Sequence, residues 1–128
     1  MALRIVRLGG PRSTGEGLRI GTVRRPPRGV PKREFAARDW YDVGLPNRAP
    51  SPETMKRGQS VRSPAQCAAF IRTYRAEMNT PDNQRLLELL AMLSHTTNFS
   101  VGCDCEDEAH CHRSALRELL AAKGATFA

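Results

Sequence analysis

The chain opens with two short segments in which apolar residues alternate, or nearly alternate, with others: "LRIVRL" (Leu3–Leu8) and "LRIGTV" (Leu18–Val23). That period predicts strands. Between them "GGPRSTGEG" is rich in Gly and must turn the chain. From Ser63 the period changes. Cys67, Phe70, Ile71, Tyr74 and Met78 recur at helical spacing, behind Ser63 as N-cap, Pro64 at the first helical position and Gln66 three residues past the cap. Cys67 on that stripe reads as a small core residue. A second helix follows Thr80 and Pro81, with Leu86, Leu89, Leu90 and Leu93 as its stripe and Leu87 and Met92 widening it. His95 falls at its end, where a histidine complements the helix dipole. "NFSVGC" puts Phe99, Val101 and Cys103 on one side, a third strand. "SALRELLAAKG" is a closing helix with Gly124 as C-cap. Strands followed by helices, then a strand and a helix, predict a small single α/β domain over 1–128, with a short, mainly parallel sheet and at least three helices.

One stretch resists this reading. "RRPPRGVPKREF" and the residues after it are dense in Pro and Gly, which exclude regular helix or central strand. An irregular basic loop is expected over about 24–62, anchored by Trp40 and Tyr41.

Charge sharpens the role of that loop. Residues 1–48 hold eleven basic and four acidic residues, whereas 49–128 hold nine of each, so the net +7 lies wholly in the first part. Most of those cations are arginines, which suit planar bidentate contact with phosphate or carboxylate. Arg24, Arg25, Arg28, Lys32 and Arg33 are the candidate anion-binding residues, with nucleic acid or a nucleotide as partner. The bland alternative is a solvated basic surface. The Gly-rich turn matches neither a dinucleotide fingerprint nor a P-loop. No apolar run is long enough to cross a bilayer, and "MALRIVRLGG" lacks the apolar core and cleavage site of a secretory signal, so a cytoplasmic setting without membrane contact is expected.

Several segments together resemble the YeaO-like family, domain of unknown function 488: "EGLRIGTVRRPPRGVPK", "YDVGLPNRAPSPETMK", "FIRTYRAEM" and "VGCDCEDEAHCHRSALRELL". The likeness spans nearly the whole chain. It departs at "RRPPRG", where the family commonly has an aromatic-Pro pair before Arg-Gly, and at Gly44, where the family often has Trp. The resemblance implies the α/β fold, a bacterial cytosolic origin and a site at the cysteine loop. It transfers no catalytic residues.

That loop, Val101–Leu116, holds three of the four cysteines and two of the three histidines. In a reducing compartment such a cluster points to metal or thiol chemistry. Cys103, Cys105 and Cys111 with His110 or His112 would make a tetrahedral set suited to zinc, though C-x-C-x5-C is not the usual knuckle spacing. The same three thiols, near a helix start, are candidates for redox or nucleophilic chemistry; Glu106, Asp107 and Glu108 oppose thiolate. The third reading is packing. On the phase of Leu116, Leu119 and Leu120, His112 points inward to a backbone carbonyl and Arg113 sits at the stripe's edge, at the mouth of a strand-to-helix turn. There Arg113 would either hold an anion or pair with Glu108 or Glu77. Taken together, the sequence favours an anion-binding module, with a thiol-dependent enzyme or a structural zinc protein as alternatives.

Overall fold

The computed structural model describes residues 2–24, 29–103 and 112–128. Among these described residues four strands form one parallel sheet: β1 (Leu3–Arg7), β2 (Leu18–Gly21), β3 (Val43–Gly44) and β4 (Phe99–Cys103), in the order β1-β4-β2-β3. β4 is central. Its Phe99 pairs with Leu3 of β1 on one side and with Leu18 of β2 on the other. All five of its residues are buried, as expected of a strand covered on both faces. The helices are α1 (Pro52–Gln59), α2 (Pro64–Met78), α3 (Pro81–Leu93) and α4 (His112–Ala122). The chain is therefore a small α/β domain with a parallel sheet, as the pattern predicts.

The core joins Leu3, Ile20, Phe99 and Val101 of the sheet to Tyr74 and Met78 of α2, Leu87 and Leu90 of α3, and Ala115, Leu116 and Leu120 of α4. The C-terminus closes the β1 edge: Leu3 donates to the Thr126 carbonyl and Ala128 donates to that of Leu3.

Three helices start alike. Ser51, Ser63 and Thr80 each cap with the side-chain oxygen and each precedes a proline at the first helical position. The first of these corrects the expectation of an irregular loop over about 24–62. That stretch contains α1, β3 and two 3-10 turns, Lys32–Glu34 and Pro46–Arg48. Of its two expected anchors, the Trp40 ring lies beside Gly9 after β1, and the Tyr41 ring covers Gly21 at the end of β2, 5.1 Å from the Phe35 ring.

The expected stripe of α3 is also corrected. Leu87, Leu90 and Ala91 are buried and Ser94 continues that face, while Leu89, Met92 and Leu93 are exposed. Residues 87, 90, 91 and 94 have the i, i+3, i+4, i+7 spacing of one face. With leucines on several sides, the sequence permitted more than one phase.

The β1–β2 connection has no helix. Parallel strands normally require a crossover element; here the Gly-rich loop over 8–17 runs the return path alone. A buried ion pair fixes it. Arg19, on β2, donates to Glu16 through Nε (2.7 Å) and Nη2 (2.9 Å), and through Nη1 to the carbonyls of Gly10 (2.9 Å) and Asp39 (2.7 Å). Ser100 of β4 donates to Glu16 at 2.8 Å. Both ion-pair members are at most 2% exposed. A second, more open pair, Arg12 with Asp42, clamps the same loop to the residues before β3, and Asp42 also accepts from the Arg19 backbone.

Candidate anion-binding cleft

In a parallel sheet, ligands bind beyond the carboxyl ends of the strands. Here β2 runs out into Thr22, Val23 and Arg24, and β4 ends at Cys103. His112, the first residue of α4, is fully buried against the β2 exit. Its Nε2 lies 3.2 Å from Thr22 Oγ1 and 3.1 Å from the Thr22 carbonyl. The Thr22 hydroxyl donates to the Gly102 carbonyl at 2.9 Å, so its one proton is committed. Nε2 thus faces two acceptors and must carry the proton itself. His112 is a donor locking α4 to β2, and its Nε2 is neither a metal ligand nor a base. The Tyr74 ring packs on it at 5.2 Å, and Tyr74 donates to the Arg48 carbonyl at 2.6 Å.

Arg24 emerges from this lock into solvent. Its Nε donates to the Pro50 carbonyl at 2.7 Å, which fixes the guanidinium beside two cavities. One, of about 450 Å³, is lined by Val23, Arg24, Pro50, Pro52, Met55, Lys56 and Gln59. It has apolar walls and two cationic edges. The other, of about 590 Å³, is mixed: Arg24 meets Asn47, Ser51, Glu77, Thr80 and Asn83 there, with Pro46 and Met78 as its apolar lining.

Glu77 belongs to the scaffold as much as to the cavity. It accepts from the Ser51 backbone (2.9 Å), the Ser51 hydroxyl (2.6 Å) and the Thr54 hydroxyl (2.7 Å), tying the end of α2 to the start of α1. Burial pushes its carboxyl up, but these hydrogen bonds and the Arg24 charge hold it below the usual carboxylate range. Arg48 is fully buried under the same cavity and donates to the Asn83 carbonyl (3.1 Å) and to Asn83 Oδ1. Its burial lowers its pKa from the ordinary arginine value. No carboxylate pairs with it among the described residues.

The sequence-predicted residues separate. Arg24 lines the cleft. Lys32 and Arg33 are exposed on a 3-10 turn and line neither cavity. Arg113 is buried at the start of α4, only 4% exposed. Cys103 is buried at the end of the central strand. Arg25, Arg28, Cys105, His110 and Cys111 lie outside the described residues. Among the described residues no group of three His, Cys, Asp or Glu side chains is placed to hold a metal ion, and no helix is long and apolar enough to cross a membrane. Sequence reasoning missed Lys56, Glu77 and Asn83. The signal for Lys56 was available: Ser51-Pro52 repeats the cap-proline pair of the other two helices, and it sets Lys56 in the last turn of α1.

The family model DUF488-N3a, the active DUF488-N3 subclade, matches residues 3–124. No curated protein and no solved structure matches the chain. With nearly its whole length matched, the chain belongs to the domain of unknown function 488 family.

Proposed function

We propose that the chain is a binding module for an anionic ligand, a nucleotide or nucleic acid, held at the carboxyl edge of the sheet. The observation that carries this reading is the cleft beyond β2, where Arg24 and Lys56 flank the apolar walls Val23, Pro50, Pro52 and Met55. Cations at the rim suit phosphate and apolar walls suit a base. Arg25, Arg28, Lys32 and Arg33 follow Arg24 in sequence and carry the same charge, and Arg113 at the start of α4 is the further candidate.

Titration of the protein with labelled nucleotides and short oligonucleotides tests this. Binding is expected at low salt, with log affinity falling linearly in log salt. Arg24→Gln is expected to weaken it about tenfold or more, as loss of a charge-assisted phosphate contact worth about 1.5–3 kcal/mol. Absence of association with any nucleotide, DNA or RNA at low salt removes the reading.

A second reading puts thiol chemistry at Cys103, Cys105 and Cys111, or a zinc ion on these with His110. It draws on the description of the matching subclade as active and on Cys103 ending the central strand just ahead of α4. On this reading at least one thiol is alkylated with a pKa well below the ordinary 8.5 or so, or purified protein carries stoichiometric zinc. Ordinary thiol pKa values in metal-free protein exclude both forms.

A further inference from the structure

The neutral balance of residues 49–128 hides a segregation of charge. Residues 54–76 carry Lys56, Arg57, Arg62, Arg72 and Arg75 and not one Asp or Glu. Arg75 pairs with Glu118 of α4. Lys56, Arg57, Arg62 and Arg72 are all exposed, and among the described residues none of the four enters an ion pair. Glu53 and Glu77 bracket this run; between them α1 and α2 present one sign, where natural surfaces usually intersperse both.

Two of these cations line depressions at the end of α1. Lys56 and Arg57 are consecutive in the last turn of α1, so their side chains diverge by about 100° around the helix. Lys56 lines the Arg24 cleft. Arg57 lines a separate groove of about 250 Å³ between α1 and α2, floored by Ala69 and Phe70 with Ser60, Gln66 and Thr73 along it. Arg62 stands just before α2: its backbone donates to Gln66 of the groove at 2.6 Å, and its guanidinium donates to the Val61 carbonyl at 3.1 Å. The end of α1 is thus a cationic ridge between two apolar-floored depressions.

We infer that the ligand is a single-stranded polynucleotide, its backbone running from Arg24 over Lys56 and Arg57, with Arg62 and Arg72 as the further exposed cations of this segment. Spaced cations track successive phosphates, and the depressions on either side take unpaired bases, whose faces a duplex would hide. This inference rests on the cleft reading and extends it: a free nucleotide would fill the first depression and leave Arg57, Arg62 and Arg72 unused.

The test compares thymidine monophosphate, a thymidylate decamer and polyglutamate, on the natural chain, on Arg24→Gln, and on the triple variant Arg57→Gln/Arg62→Gln/Arg72→Gln. The decamer is expected to bind far more tightly than the monophosphate. Five cations on phosphates predict a salt slope of about −3.5, falling to about −1.4 in the triple variant, at about 0.7 per single-strand contact. The triple variant is expected to leave monophosphate binding unchanged. Equal binding of monophosphate and decamer, with no effect of the triple variant, overturns the polynucleotide inference and leaves the cleft reading intact. Polyglutamate binding as tightly as the decamer overturns it in favour of an acidic protein. Failure of both nucleotide probes at low salt overturns the cleft reading as well.

Discussion

Glu16→Gln is expected to lower folding stability by about 3–5 kcal/mol, measured by urea unfolding near neutral pH. The substitution keeps the shape and removes the charge. It leaves the Arg19 guanidinium, 1% exposed, without its counter-ion among the described residues. Arg19 also holds the Gly10 and Asp39 carbonyls, so the loop over 8–17 and the segment before β3 loosen together. Replacing both members by apolar residues is expected to cost less than the sum of the single changes, because the orphaned charge disappears. Acid should reveal the same pair. Burial pushes the Glu16 carboxyl up, but bonds from Arg19, Ser100 and the Ser13 backbone pull it further down, from an ordinary 4.5 to about 2. A depressed carboxyl stabilises the fold above its unfolded pKa and ceases to do so as pH falls through its folded one. The natural chain is therefore expected to lose about 3 kcal/mol from this group between roughly pH 4.5 and 2, at about 1.4 kcal/mol per unit. Asp42 and Glu77 are depressed in the same direction and add to the slope. Glu16→Gln should flatten the profile without abolishing it. Parallel profiles for the two proteins would show that Glu16 is not the acid-sensitive group.

That pair was hidden from sequence reading for a physical reason. Glu16 stands in a Gly-rich turn, where a carboxylate normally faces water. Arg19 occupies the polar phase of an alternating strand. Both are buried because β2 lies inside the sheet, with β4 and β3 on its sides, and the return loop crosses its end. Strand period tells which residues share a face; it does not tell that both faces are covered. β3 was illegible because it has two residues, both exposed, fixed by Asp42 donating to Arg19 and Leu45 to Gly21. α1 was missed because its only buried residue is Thr54, so no apolar stripe marks it. His112 was legible, since the stripe of Leu116 and Leu120 set its phase. The cleft was half legible. Arg24 announces itself in a basic run, but Lys56 comes from a different element, and only the sheet edge brings them to one cavity.

Gly17→Ala is expected to destabilise by about 2–5 kcal/mol, from two separable causes. Gly17 has φ +79°, a left-handed conformation that costs an L-residue about 1–2 kcal/mol. A Cβ there would also stand 1.9 Å from the Asn98 carbonyl oxygen, a backbone atom that cannot rotate away. Relieving that overlap means parting the entrances of β2 and β4 where Leu18 pairs with Phe99, and overpacking of this kind costs about 1–3 kcal/mol more. Gly124→Ala separates the two causes. Gly124, beyond the end of α4, has φ +87° with nothing within 4 Å of its would-be Cβ, so it reports the conformational cost alone. Urea unfolding of both variants should place Gly17→Ala well below Gly124→Ala. Equal losses would mean that the strand entrances yield at little cost. Gly17 also adjoins Glu16, so a shift there carries the carboxylate away from Arg19. Combined with Glu16→Gln, Gly17→Ala should then cost less than it does alone, because the ion pair it disturbs is already gone.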